Sequence, residues 1–555
     1  MGTQLALLFD NSRTRKARGA FFTPSELATF LASWAVRTPK DRILEPSCGE
    51  ASLLLAAGRQ LLARGGRTTL VGLDVHEPSI AAAKQLLRDE KLRADLRVAD
   101  FFDEAPEPRF DVVIGNPPYI RYQSFSGKDR AKAQRAALAQ GVRLSGLANA
   151  WAAFVVHAAS FLRKGGRLAL VLPASLLSVN YAAPVRRFLL DRFKAVKLVM
   201  FEERVFPDVL EEVVLLLAEG EGPTSRFDLL QVRDLEELGS IQGPSGASPR
   251  PWTPIDADDK WTEALLPSGA AGIYSELASG VGFKTLGDWG DTDLGMVTGN
   301  NQFFTLTATQ VAELGLRESE TVRISPPGSR HLRGLVFSDR TFDEMAREGS
   351  RVYLFYPDKD RPSKAAKRYI ELGESQGIHK AYKCAVRSPW WRVPTVRIAD
   401  LFLTYMNHDV PRLVHNNASV AHLNSIHGVT LSRGNRELGA DLLPIAMLNS
   451  LTMLGAELVG RSYGGGILKV EPKEADLLPM PSPEVLEIVG PDLRNLRSQL
   501  SRLLRNSQLA EVVRSVDEAL LVGGLKRSRE DVVALSEARN MMAARRSSRA
   551  GKTPR

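Results

Sequence analysis

Two cysteines in 555 residues, Cys48 and Cys384, exclude a disulfide framework and a cysteine-rich zinc site, and they suit a reducing compartment. Long apolar runs are missing as well. The longest, such as Leu168–Leu172 and Val213–Ala218, are strand length, well short of the roughly 18 residues that a membrane span needs. The opening "MGTQLALLFDNSRTRKARGA" has no apolar core of the kind a secretion signal carries, so export and membrane association are not expected. His408, His415, His422 and His427 have no cysteine pair beside them, and no metal site is expected. There is no internal repeat, and the first glycine turn is not the dinucleotide signature, because Ala51 stands where a second glycine would.

Apolar residues make up 44% of the chain, enough for real cores, and the length predicts two to four domains. The formal charge of +9 favours a polyanionic partner. Basic runs lie at Arg13, Arg15, Lys16 and Arg18 and at Arg545, Arg546, Arg549, Lys552 and Arg555. From about Thr23 to Glu219 helices and strands alternate, which predicts a doubly wound, mostly parallel α/β sheet. Its last two strands, near Ala195–Phe201 and Val213–Leu217, are expected to form an antiparallel edge pair. The expected domains are a basic segment (1–22), a catalytic domain (23–220), a Gly/Pro/Ser-rich linker (221–252), an irregular α+β domain (253–482), a helical segment (483–540) and a disordered basic tail (541–555).

Three successive strands end in acids: Glu45 in "EPSCGEAS", Asp74 in "GLDVHEP" and Asp100 in "ADFFD". Open α/β sheets bind ligands at that edge, and an acid ending the second strand is placed for ribose hydroxyls. Asp100 followed by Phe101 and Phe102 offers an acceptor and an apolar ring to an adenine. The fourth strand, in "FDVVIGNPPYIRY" (Phe110–Tyr122), runs into Asn116-Pro117-Pro118-Tyr119. The two prolines fix φ, remove two donors and hold Asn116 extended. The result is a stiff arm that presents an amide and an aromatic ring.

The order "GAFFTP", "EPSCGEAS", "GLDVHEP", "ADFFD", "NPPY" resembles the gamma class of amino-group DNA methyltransferases, and is similar to the TaqI-type adenine-N6 enzymes. The resemblance covers roughly Lys16–Glu219 and implies a class I methyltransferase fold, Rossmann-like, with S-adenosyl-L-methionine as cofactor. It implies that Phe22, Thr23, Pro24, Glu45 and the turn Pro46, Ser47, Cys48 and Gly49 hold the methionine part. It implies Asp74 for the ribose and Asp100 with Phe101 for the adenine, with Asn116 bordering both cofactor and target. The side-chain oxygen of Asn116 and the carbonyl of Pro117 can accept from the two N–H groups of an adenine N6, restoring the lone pair that the ring delocalises. The base must leave the duplex to reach them. Tyr119 would face it on one side, and Phe206, on the loop between the last two strands, on the other.

Similar phrases continue into a target-recognition domain: "LGMVTGNNQFFTL" (Leu294–Leu306) and "SYGGGILKVEPKEADLLPMP" (Ser462–Pro481). Arg387 and Arg392 in "RSPWWRVP" are candidates for reading guanines, with Trp390 and Trp391 expected in the core. The basic stretch between Tyr119 and Trp151 is expected to be either a mobile segment that orders over DNA or cofactor, or a surface helix with no further task. The implied partners are double-stranded DNA and a separate restriction endonuclease or defence-system subunits, in a bacterial or archaeal cytoplasm at the nucleoid. The same tetrapeptide serves RNA-base and protein-glutamine methyltransferases, which are typically shorter. A non-catalytic DNA-binding subunit is the remaining alternative, disfavoured by the intact Glu45, Asp74, Asp100 and Asn116.

Overall fold

Runs of Val, Ile and Leu without polar alternation demand a sheet covered on both faces. Ile43–Glu45 (β1), Leu70–Asp74 (β2), Ala94–Val98 (β3), Phe110–Gly115 (β4), Leu162–Pro173 (β5), Ala195–Phe201 (β6), Val213–Glu219 (β7), Phe227–Val232 (β8) and Arg250–Trp252 (β9) form that sheet, in the order β3-β2-β1-β4-β5-β7-β6-β8-β9. The computed structural model describes residues 23–120, 122–202, 205, 212–240, 249–254, 256–463 and 466–548. Strands β1 to β5 run parallel, and β7 lies antiparallel between β5 and β6. Val112, Val113, Ile114 and the whole stretch Leu168–Leu172 have no exposed surface. Around the sheet lie helices Ser25–Ala35 (α1), Ser52–Ala63 (α2), Glu77–Asp89 (α3), Gly127–Leu138 (α4) and Ala150–Ala159 (α5). The chain proceeds from β1 to β2 and β3 on one side, then crosses to β4 and β5 on the other. The reversal opens a crevice at the C-terminal ends of β1 and β4.

Several expectations need correction. The stretch 221–252 is not a plain linker: β8 pairs parallel with β6, and β9 pairs with β8. The antiparallel pair β6–β7 is therefore interior rather than an edge. The segment is rich in Gly, Pro and Ser, but the buried apolar residues Phe227, Leu229, Leu230 and Val232 make a strand of its middle. The chain divides at Leu265/Leu266 into two compact units, later than expected. Trp261 is fully buried and packs on Phe227, with ring centroids 4.5 Å apart, which keeps residues 253–265 with the first unit. The stretch after Tyr119 contains the ordered helix α4. Arg130 ties it down through the carbonyls of Phe125 (2.6 Å) and Tyr122 (2.5 Å).

The second unit is α+β. A four-stranded antiparallel sheet takes Gly290–Leu294, Ile426–Leu431, Leu401–Thr404 and Leu413–His415 in that order. Arg461–Tyr463 and Ile467–Lys469 pair across the glycine-rich stretch. Helices Pro483–Arg505, Leu509–Asp517 and Arg529–Ser548 follow. The last helix overruns the expected disordered tail. Arg545 and Arg546 are buried, and Arg546 pairs with buried Glu457 at 2.8 Å instead of waiting for phosphates. Arg549, Lys552 and Arg555, like the segment 1–22, lie outside the described residues.

One buried ion pair fastens α1 to the sheet. Arg167 on β5 meets Asp41 at 3.0 Å and donates to the Ala35 carbonyl at 2.6 Å. Burial alone would lift the Asp41 carboxyl, but the Arg37 amide, the Thr38 hydroxyl and Arg167 together hold it below its ordinary value. Its stabilisation is therefore present above the unfolded value and lost as pH falls below it. Arg167→Met, which strands Asp41, is expected to cost about 3–5 kcal/mol in urea unfolding. Arg37→Ala, which breaks a half-exposed pair with Glu219, is expected to cost under about 1 kcal/mol.

Candidate active site

Glu45 ends β1, and the chain then turns sharply into α2. Three backbone donors fix that turn. The Leu54 N–H donates to Glu45 Oε2 (3.1 Å), the Cys48 N–H to the Leu73 carbonyl (2.8 Å) and the Gly49 N–H to Asp74 Oδ2 (2.8 Å). Two left-handed residues make the corner, Gly49 at φ +49° and Ala51 at φ +68°. Only Gly49 has its natural residue type there. Ala51 holds a conformation that costs roughly 1–2 kcal/mol. A Cβ added at Gly49 would meet nothing within 4 Å, so its surroundings are open. The Cys48 thiol is buried, which pushes its pKa up and leaves it inert.

Asp74 ends β2 with both oxygens facing backbone donors, since Oδ1 accepts from the His76 N–H at 2.8 Å. Asp100 follows β3. Its Oδ1 accepts from the Phe102 N–H (3.0 Å) and its Oδ2 from Lys132 Nζ (3.2 Å), which also reaches Asp103 at 2.5 Å. Lys132 sits on α4 and escaped the sequence reading, because no motif marks a lysine that approaches from a separate helix. The Phe101 ring lies in the core against Phe154, His157 and Phe161, with centroids 4.5–5.1 Å away, and only 4% of the residue is exposed. The ring left half-buried beside Asp100 is that of Phe102.

The Asn-Pro-Pro-Tyr arm leaves β4 beside this turn. Ser47 Oγ donates to the Asn116 carbonyl, and Asn116 Nδ2 donates to Thr23 Oγ1, both at 3.4 Å. Pro46 packs close to Gly115, its Cδ 3.7 Å from where a Cβ would stand. Pro117 is buried and Pro118 half-buried. Tyr119 donates its hydroxyl to the Val171 carbonyl of β5 at 3.1 Å, and 8% of the residue is exposed. Thr23 and Pro24, just ahead of α1, are both half-buried. The fold thus brings together Thr23, Glu45, Ser47, Gly49, Asp74, Asp100 and Asn116. Phe22 and Phe206 lie outside the described residues.

Buried Glu45 has its carboxyl raised well above the ordinary range, first by burial and further by the Asp74 charge, while the Leu54 N–H offsets part of this. Three carboxylates at one edge, one of them desolvated, ask for a ligand bearing positive charge, hydroxyl donors and an amine. S-adenosylmethionine has all three in its sulfonium and ammonium groups, its ribose and its adenine, so the donor set fits it. Among the described residues, no group of three or more His, Cys, Asp or Glu could hold a metal ion. His422 is buried, and His427 Nε2 contacts the Val470 carbonyl at 3.0 Å.

Residues 6–232 match the family model of N-6 DNA methylases, and residues 258–521 match that of the C-terminal domain of the Type II methyltransferase M.Eco57I. The chain is 23% identical to the Type II methyltransferase M.AccI of Acinetobacter calcoaceticus over 91% of this chain and 93% of that one. It is 26% identical to the Type II methyltransferase M.XamI of Xanthomonas campestris pv. amaranthicola, over 86% and 88%. The solved structure of the type IIG restriction endonuclease BpuSI aligns with 97% of this chain and 67% of that one at 14% identity, with a TM-score of 0.42. The class is that of S-adenosylmethionine-dependent methyltransferases acting on DNA. Within it, the chain belongs to the gamma-class adenine-N6 DNA methyltransferases, with an M.Eco57I-type C-terminal domain.

Asp74→Ala is expected to weaken S-adenosylmethionine binding roughly 10- to 150-fold in calorimetry, the equivalent of about 1.5–3 kcal/mol for a hydrogen bond to a charged group. Asp95→Ala, on the exposed part of β3, is expected to leave the affinity unchanged.

Proposed function

We propose that this enzyme methylates N6 of an adenine flipped out of duplex DNA, with Asn116 and Pro117 as the two acceptors for its amino group. The observation that carries the proposal is the position of Asn116: on a proline-locked arm at the sheet's reversal, next to the Ser47–Gly49 turn and joined to Thr23. When bound, S-adenosylmethionine supplies an electrophilic methyl group. The chain's own part is to orient the nitrogen. Hydrogen bonds from both N–H groups to fixed acceptors draw its lone pair out of the ring, and they strengthen as positive charge develops there. No strong base is required, because the proton can leave after transfer.

In this reading Glu45 and the Ser47–Gly49 turn face the methionine part, Asp74 the ribose, and Asp100 with Phe102 the adenine. Lys132 steadies Asp100 from outside. Tyr119 and Phe206 wall the flipped base, and the residues after 265 select the DNA sequence. The curated relatives are Type II methyltransferases, which supports a place in a restriction-modification system beside a separate endonuclease, working at the nucleoid. Among the described residues no single helix is long and apolar enough to cross a membrane.

Asn116→Ala is expected to abolish methyl transfer in a single turnover while cofactor affinity is largely retained, because the lost acceptor acts in the chemical step. A single-turnover rate near wild type would remove Asn116 from the mechanism. Phe206→Ala is expected to slow methylation roughly 5- to 150-fold on matched duplex, the range for one lost stacking contact. The loss should shrink when the target adenine sits opposite a mismatch, since extrusion then costs less. Equal losses on both substrates would assign Phe206 to packing instead.

A further inference from the structure

Residues 375–399 of the second unit carry five cations (Lys380, Lys383, Arg387, Arg392 and Arg397) and no acid. The two arginines expected to read guanines are already engaged. Arg387 donates to the carbonyls of Thr298 (2.8 Å) and Val297. Arg392 donates to the Pro357 carbonyl and lies 3.3 Å from the centre of the Tyr356 ring. Trp390 packs near Phe303 and Phe304 and donates to Glu374 at 3.1 Å. These residues build the platform. They do not read from it.

What the platform presents is different. Tyr382 is 75% exposed and Val386 65%, on and just beyond the short helical turn Tyr382–Ala385. Lys380, Lys383 and Arg397 are exposed, and among the described residues none of the three has a hydrogen-bond or ion-pair partner. Lys383 lies 5.6 Å from the centre of the Tyr382 ring. The turn is pressed against the loop Val297–Asn301. A Cβ at Gly299 would stand 3.0 Å from Lys383 Cβ and 3.1 Å from the Cys384 sulfur, and Arg387 holds that loop's carbonyls. An exposed aromatic ring and valine, exposed lysines and a rigid underlay form a surface suited to a polyanion with flat apolar faces.

We propose that the turn 380–386, with the adjoining loop 297–301, is a duplex-DNA contact face of the recognition unit. Lys380 and Lys383 contact phosphates, and Tyr382 and Val386 contact sugar or base edges. The charge points to nucleic acid, because three exposed cations, Lys380, Lys383 and Arg397, beside an exposed ring and valine complement a phosphate backbone with its apolar sugar and base edges. This inference rests on the DNA-methyltransferase reading and adds to it the surface that docks.

The test is fluorescence anisotropy of the full-length protein on labelled duplex DNA over a range of salt concentrations, with methylation of the same DNA measured alongside. Each phosphate contact adds about 0.9 to the slope of log affinity against log salt. Lys380→Gln/Lys383→Gln is expected to lower that slope by about 2 and to weaken binding on the order of 10- to 60-fold near 0.1 M salt. Tyr382→Ala is expected to weaken binding with the slope unchanged, since it removes no charge. Lys284→Gln/Lys526→Gln, equal in charge and elsewhere on the same unit, is expected to keep both slope and affinity. All substituted side chains are exposed, so melting temperatures should match wild type. Wild-type slope and affinity in the Lys380/Lys383 variant, with methylation intact, would overturn the assignment of this face alone. Failure of the wild-type protein to methylate DNA would overturn the reading beneath it.

Discussion

The site depends on one short bond, from the Gly49 amide to the Asp74 carboxylate at 2.8 Å. It joins the ends of two neighbouring parallel strands, β1 and β2, beside the crevice, at a turn that passes through two left-handed residues before α2 begins. Because the Asp74 carboxylate is already anchored by backbone donors, its remaining lone pairs have fixed directions, which suits recognition of ribose hydroxyls. The same turn carries Ser47, whose hydroxyl reaches the Asn116 carbonyl and so ties the turn after β1 to the Asn-Pro-Pro-Tyr arm. A methyl donor and an acceptor nitrogen must meet within a few tenths of an ångström, and that accuracy has to come from a rigid frame.

The frame also accounts for the electrostatics. Glu45 is desolvated and stands near Asp74, so its charged form is costly until a cation arrives. A cationic group beside it would relieve that cost. Lys132 plays the opposite part at the far end. It balances Asp100 and Asp103 from α4, so the end of the site at β3 is closer to neutral than the end at β1.

How much of this was legible in the sequence follows from the range of the interactions. Glu45, Asp74, Asp100 and Asn116 were readable because each is fixed by its own strand end, a local feature with a period and a turn signal. The buried faces of β4 and β5 were readable for the same reason. Lys132 was not, because its partner lies 32 residues away and nothing local requires the contact. Phe101 was misplaced because adjacent aromatic rings must point to different sides, and only the packing of Phe154, His157 and Phe161 decides which ring turns inward. Arg546 was read as a tail charge because composition cannot reveal that Glu457, far back in the chain, needs a buried partner. The Gly/Pro/Ser content of 221–252 concealed β8, whose pairing is a tertiary event.

The central claim is that this chain places a methyl group on adenine N6 within a fixed DNA sequence. The most direct measurement is modified-base sequencing of DNA from a methylation-deficient bacterium expressing the wild-type chain, beside the Asn116→Ala variant. The account predicts N6-methyladenine at nearly every copy of one short sequence in the first and none in the second. Unmodified DNA from cells containing folded wild-type protein, or methylation confined to cytosine, would contradict it.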